Sequence, residues 1–532
     1  MRLCSIFDVK FNYKKEKQMK NLLAIILVLA MLATSLVACT VAPSEGGSQS
    51  SESKGGSNAE TPKPGESQGA DESGNTGDTS ETNPPAETSE EDAIGIPEGL
   101  NYGGDEVYIM HWTAYNPEFV VDDQADMGDP IISAIEKKNL YTEDTLGVTL
   151  DFTEVLGDGG QPDAFLEALK NRMSDPTTPV DIMAAYARTT AMISLEGLLQ
   201  DITVCDNIDF SKPWWPKDIQ DEYNINGKLY FISGDISTNL LLMMYGVYYN
   251  KTLLANYGRT NPVELVKTDD WTIDAFIEMT ADIYEDLGNN QAMYGLVSSY
   301  WDFDAVYHAS GYGLLDRTTE DGAYVKYSDE LFSSIAEAYI TKLSKWVATP
   351  DVIAETDYSG KAGLAFQEER ALFTISSASI GFRLRENDMD YGAVPMPKLD
   401  PATQESYVTC LANPFSLYAI PVASLNPDRA AATLQTLGYY AYLHTTPAVY
   451  DVTLKGKFSK DEDTMAMWDL MRAGISFDLG RVFHTKLGGL CDVVSMAIAT
   501  GKQWSIECSA AIMKGRLNKM RALNKILAEL DN

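Results

Sequence analysis

The chain has 532 residues, 45% of them apolar and 22% charged, with a formal charge of −36. Residues 1–39 carry +4 and residues 40–98 carry −11, which leaves −29 on the remainder. A body that acidic lacks the clustered Lys and Arg that phosphate contacts need, and anionic lipid repels it, so nucleic-acid binding and electrostatic adhesion to membranes are both excluded.

From the amino terminus, Lys14, Lys15, Lys17 and Lys20 precede an unbroken apolar run from Leu22 to Ala33, followed by Leu36-Val37-Ala38-Cys39. About twelve to sixteen apolar residues suit the core of a signal peptide, whereas a bilayer span needs roughly 20. Met19 stands directly before Lys20 and is the expected start of translation, which would make residues 1–18 an over-long reading of the start. Leu36-Val37-Ala38-Cys39 resembles the bacterial lipobox, in which the signal peptide is cut before the cysteine and its thiol takes a diacylglyceryl group. Two acyl chains hold a protein at a membrane where one is marginal. The alternative is an ordinary secretory signal with an incidental cysteine.

Thr40 to about Gly95 is Ser, Gly, Glu, Thr and Pro with almost no large apolar side chain, as in SEGGSQSSESKGGSNAE. Such a segment buries too little apolar surface to offset its chain entropy and is expected to be disordered. As flexible coil it reaches roughly 40 Å r.m.s., the length of a tether between lipid and a folded body.

The body, from about Asn101, is long enough for two or three lobes. VYIMHW (107–112), VTLDFTEV (148–155), VDIMAAY (180–186) and KLYFISG (228–234) read as strands, with helical patterns near 130–139 and 163–174 between them. This alternation predicts βαβ units and a mostly parallel sheet with helices on both faces. Thr272 is placed to cap a helix over AFIEMTADIYEDL. Gly295–Ser298, Ala371–Ser376 and Tyr391–Val394 continue as short strands, and from Asp461 the pattern is almost wholly helical.

No GxSxG, HExxH, GxxxxGK[ST] or strand-to-helix GxGxxG motif is present, so neither a catalytic signature nor a cofactor site is predicted. His111, His308, His444 and His484 are not at ligand spacing, and Asp461-Glu462-Asp463 lacks the glycine and trailing glutamate of a calcium loop, so it reads as a solvated turn and no metal is expected. After Cys39 only Cys205, Cys410, Cys491 and Cys508 remain, without a CxxC pair, and buried free thiols are expected. Trp214-Trp215, between two prolines, reads as an anchored loop.

PVDIMAAYARTTAMISLEGLLQDIT, INGKLYFISGD, VYYNKTLLANYG and WTIDAFIEM, then DYGAVPMPKLDPATQESYV, YAIPVASLNPDRAAATLQTLGYYAY and AIATGKQWSIECSAA, resemble in order the extracellular solute-binding proteins of ABC importers, the maltose-binding-like family. The resemblance implies a two-lobed periplasmic-binding-protein-like α/β fold of type II, with lobe one at 102–240 and 391–450 and lobe two at 241–390 and 451–532. It implies ligand in the cleft between the lobes and hinge closure around it. It also implies a monomer without cofactor that binds a small-molecule solute, a sugar or oligosaccharide, and hands it to ABC permease subunits in the membrane.

Strand ends give the candidate cleft residues: Trp112 and Tyr115, Tyr186 and Arg188, Asp235, and Tyr300, Trp301 and Phe303. Family resemblance puts sugar-contacting aromatics at the first, second and last of these places, where ring faces take sugar C–H groups. Core packing is the competing reading for each aromatic, a turn cap for Asp235 and a neighbouring acid for Arg188. Many sugar binders of the family carry a tryptophan shortly after the matching strand, where this chain has Ser376-Ser377-Ala378-Ser379, which argues against an ordinary maltodextrin-like ligand and leaves a smaller or more polar one open. A ligand-presenting partner of a membrane sensor and a surface-anchored glycoside hydrolase are the alternative functions.

The anchor has a direct test. Cys39→Ser should abolish lipidation and release the protein or leave it unprocessed, while the body still folds. A processed variant that stays in the membrane fraction would assign the anchor to another feature.

Overall fold

The computed structural model describes residues 94–121, 127–356, 360–387 and 389–531. The leader, Cys39 and the tether up to residue 93 lie outside the described residues.

The chain enters β1 (Asp105–Trp112) and reaches α1 (Pro130–Leu146) through an Asp129 cap whose carboxylate accepts from the Ile131 amide at 2.8 Å, with Pro130 in the first turn. That pairing satisfies an orphan amide and uses a residue that has none to lose. Gly147, at φ 59°, ends the helix in the left-handed conformation and launches β2 (Val148–Val155). There follow α2 (Pro162–Ser174), β3 (Ile182–Tyr186) and α3 (Ala187–Ser194). β1 pairs in parallel with β2 along its whole length, Asp105 opposite Val148 to Trp112 opposite Val155, and in parallel with β3 on its other edge.

The chain then crosses into a second sheet. β4 (Tyr245–Asn250) is followed by α4 (Ile273–Thr280), β5 (Glu285–Gly288), β6 (Gln291–Ser299), α5 (Asp302–His308), α6 (Ser334–Val347), β7 (Val352–Glu355), β8 (Ala371–Ser377), α7 (Ile380–Glu386) and β9 (Tyr391–Val394). The strand order is β9–β4–β8–β6–β5, with β7 also on β6. β10 (Ser416–Ala419) returns to the first sheet, antiparallel to β3, giving the order β10–β3–β1–β2. α8 (Pro427–Tyr440), wide π-helical turns at Ala441–Thr445 and Ala448–Lys457, α9 (Glu462–Ala473), α10 (Leu479–Val482), α11 (Leu490–Thr500) and α12 (Ala510–Asp531) complete the chain.

Several sequence expectations shift. The first sheet is parallel except for β10, but the second is mixed, because β4 runs antiparallel to both its neighbours. β9, expected to open the return to lobe one, pairs with β4 (Tyr391 opposite Asn250), so the second sheet runs on to Val394. KLYFISG forms no strand: Lys228 closes a tight turn on Ile225, and only Ile232 pairs with Tyr418. The helix capped by Thr272, which accepts from the Ala275 amide at 3.2 Å, stops at Thr280. Asp282 has φ 56°, and the acidic end of that segment becomes β5. β5 turns into β6 through Asn289 and Asn290 at φ 54° and 61°, the left-handed pair that a tight hairpin demands. Asp461-Glu462-Asp463 is the capped start of α9, where Asp461 accepts from the Thr464 amide at 2.8 Å. Cys205, Cys410, Cys491 and Cys508 are free thiols, but Cys205 and Cys508 are only half-buried. Trp214 and Trp215 are buried, and the Trp215 indole N–H donates to Gln435 Oε1 at 2.8 Å, which anchors the loop.

Fully buried aromatics join helix to sheet in the second lobe: Phe276 of α4 lies edge-on to Phe373 of β8 at 5.2 Å and to Trp346 of α6 at 5.2 Å. β6 comes so close to the end of α4 that a Cβ on Gly295 would sit 2.0 Å from the Thr280 carbonyl oxygen. Gly295→Ala should therefore cost about 1–3 kcal/mol, the range for overpacking. It should show as a lower urea midpoint, and an unchanged midpoint would mean that β6 and α4 separate freely.

Candidate functional site

Between the sheets lies a cavity of about 870 Å³ whose floor is the crossing backbone at Met243 and at Ala412–Asn413. Its first-lobe wall comes from the carboxyl ends of β1 and β3: Tyr115, Tyr186 and Arg188. Its second-lobe wall comes from the end of β6 and the start of α5, with Tyr300 and Trp301, and from the β8–α7 turn, with Ser376, Ser377 and Ser379. Strand carboxyl ends leave such a crevice because successive connections depart in different directions there.

Five of the expected residues come together. Tyr115 is 62% exposed at the rim, Tyr186 is 8% exposed, and Trp301 lies half-buried on the opposite lobe, its ring edge-on to Tyr300 at 5.2 Å. Burial pushes the Tyr186 phenol up to about 12, so it stays a neutral donor. Arg188 is half-buried, and its Nε donates to the Arg481 carbonyl at 3.3 Å.

Three expected residues lie elsewhere. Trp112 is fully buried behind the wall, its indole N–H donating to Ser416 Oγ at 2.9 Å. It props Tyr115 and Tyr186 edge-on at 5.5 and 5.4 Å. Phe303 turns into the core against Trp346 at 6.2 Å. Asp235 accepts from the Thr446 hydroxyl at 2.6 Å away from the cavity, and burial pushes its carboxyl up.

The cavity also holds groups that the strand-end reasoning missed. Arg481 of α10 forks onto Asp304 of α5 through Nε and Nη2 at 3.0 and 2.7 Å, and its Nη1 donates to the Leu411 carbonyl at 2.6 Å. Both side chains are buried, so loss of either would leave the other charge buried without its counter-ion. Asp302, next to Trp301, was within reach of sequence reasoning as an acid opening a helix after a strand. It accepts from Ser298 Oγ at 2.8 Å and from the Ser299 amide at 2.9 Å, and burial pushes its carboxyl up to about 7. Glu355, also buried, accepts from the Ala362 amide at 2.8 Å and from the Gly360 amide. Among the described residues, no group of three His, Cys, Asp or Glu side chains could hold a metal ion.

Two α/β lobes with an aromatic and polar cavity on their crossing segments define a periplasmic-type binding protein of type II. Residues 138–462 match the family model described as bacterial extracellular solute-binding protein, and the chain belongs to that family. Many solved structures share the fold, among them three with TM-scores of 0.50 or above. One is the GacH receptor of Streptomyces glaucescens GLA.O, solved unliganded and with acarbose (TM-score 0.52, 13% identity, 80% of this chain and 99% of that one). Another is an ABC substrate-binding protein from Listeria monocytogenes with cycloalternan (0.50, 14%, 80% and 99%). The third is a cyclo/maltodextrin-binding protein with maltotetraose (0.50, 15%, 80% and 97%). No curated protein matches the sequence. The family consists of binders, so the chain is a binding protein and not an enzyme, and the family name puts its work outside the cytoplasm. No described helix is long and apolar enough to cross a membrane.

Asp302 makes a pH prediction. Its carboxyl is raised from 3.8 to about 7 on folding, so the native state holds more protons between those values and stability falls as pH rises through that window. Asp302→Asn removes this term. The variant should match the parent near pH 4 and melt higher than it above about pH 7. Parallel melting curves across the range would place the Asp302 titration elsewhere.

Proposed function

We propose that this protein is the lipid-anchored, extracytoplasmic substrate-binding subunit of an ABC importer, and that it takes a carbohydrate into the inter-lobe cavity by hinge closure. The observation that carries the reading is the cavity wall itself: Tyr186 from one lobe and Trp301 from the other border one cavity, with hydrogen-bonding side chains between them. Ring faces pack on sugar C–H groups while hydroxyls bond at the rim, the mixed lining that saccharides need. The neighbours solved with acarbose, cycloalternan and maltotetraose support a ligand of this class. Closure that brings both walls onto one ligand turns occupancy into a shape that a permease can read. The Cys39 motif, the tether and the acidic body support attachment by lipid alone.

The test is a thermal-shift screen of mono- and oligosaccharides, followed by calorimetry on those that raise the melting temperature and are recovered unchanged. Trp301→Ala should weaken the best of them by about thirty- to a thousandfold, the hot-spot range of about 2–4 kcal/mol, with the unliganded melting temperature unmoved. A melting temperature many degrees lower with near-native affinity would assign Trp301 to the core. A screen in which no saccharide shifts the protein would overturn the carbohydrate reading.

A further inference from the structure

The charges on the cavity wall are unevenly spent. Asp304 is taken by Arg481 at 2.7 Å, and Asp492 faces His484 Nε2 at 3.4 Å. Glu355 accepts from two backbone amides, and Asp302 is held by Ser298 and Ser299. Asp158, at the tyrosine end, accepts from the Gly160 amide at 2.8 Å. On the cationic side, Arg188 commits only Nε, to the Arg481 carbonyl, and makes no ion pair with any described carboxylate. Arg383 borders the same cavity from the second lobe and likewise has no ion-paired partner among the described residues.

The wall beside Arg383 agrees with this. Ser377 and Ser379 stand at the β8–α7 turn with their hydroxyls 2.8 Å apart, and Arg383 lies one helical turn beyond Ser379. Hydroxyl donors and a guanidinium offer little to the C–H face of a sugar and suit an anion well. On the first lobe, the Nη edge of a half-buried guanidinium must find an acceptor when closure removes its water. A planar carboxylate fits that edge with two parallel bonds, where a neutral hydroxyl offers one weaker bond.

We propose that the ligand is an acidic saccharide, with the carboxylate of a uronic acid residue forked on Arg188 and with Arg383, Ser377 and Ser379 closing on it from the other lobe. The assignment rests on the carbohydrate reading above. Asp158 and the tyrosines then take the hydroxyls of the neutral part.

Calorimetry on the full-length protein decides it. The probes are short oligogalacturonides and glucuronic-acid disaccharides, their carboxyl-reduced neutral counterparts, and a sulfated disaccharide. The acidic probe should bind about ten- to a hundredfold tighter than its reduced counterpart, the worth of one or two charge-assisted bonds, and the advantage should shrink with added NaCl. Arg188→Gln should lower the affinity for the acidic probe far more than that for its neutral counterpart, so that most of the preference is lost, and Arg188→Lys should restore the preference only partly. If Arg188→Gln does not fold, Arg383→Gln, on an exposed side chain, and the salt dependence of the unaltered protein give the same reading. Equal affinity for acidic and neutral probes would overturn the acidic assignment and leave carbohydrate binding intact. Preference for the sulfated probe would replace the carboxylate. Failure of every saccharide would sink both readings.

Discussion

Three residues of backbone hold the two lobes in one frame. Leu242, Met243 and Met244, where the chain first leaves the first lobe, present their carbonyls to the β8–α7 turn of the second lobe and to the segment that returns to the first. Leu242 and Met244 accept from the Ser379 and Ala378 amides at 2.9 and 2.8 Å, and Met243 accepts from the Ala412 amide at 2.8 Å. The cavity is built on these bonds, because Met243 and Ala412 are part of its floor and Ser379 stands on its second-lobe wall. Backbone groups buried at such a place must pair with something. Here they pair with one another, which ties the first crossing both to the second-lobe wall and to the returning segment.

The acids of the cavity follow the same economy. In a chain of charge −36, a cleft filled with uncommitted carboxylates would repel anything but cations. Instead Asp304 is neutralised by Arg481, Glu355 is tied to amides, and Asp302 is pushed toward its protonated form. Each of these acids thus has a partner of its own within the wall, or a proton, before any ligand arrives.

The fold was readable where periodicity and turn chemistry agree. β1, β2 and β3 alternate with helices that begin at Pro130 and Pro162, and the Thr272 cap does what its residue type suggests. KLYFISG misled because apolar, β-branched composition reports burial and says nothing about whether a partner strand lies alongside; only Tyr418 does. Tyr391–Val394 was legible as a strand but not as a member of the second sheet, since pairing with β4 links residues about 140 positions apart. Within the site, strand ends located Tyr115, Tyr186, Arg188, Tyr300 and Trp301. They also returned Trp112 and Phe303, whose side chains turn inward by a fraction of a helical or strand period that composition does not encode. Arg481 was out of reach: it sits in a helical pattern 177 residues from the aspartate it serves, and nothing in its neighbours marks it.

The sheet orders also fix a sequence of events in time. Every strand of the second sheet comes from one uninterrupted stretch, Tyr245 to Val394, whereas the first sheet lacks its edge until Ser416–Ala419 arrives. A nascent chain emerges amino end first, at about 5–20 residues per second. The later-synthesised sheet can therefore close on itself while the earlier one waits with the edge of β3 bare. Unpaired edges recruit other chains. Until Ser416–Ala419 arrives, the β3 edge of the first sheet is open to any strand that reaches it first.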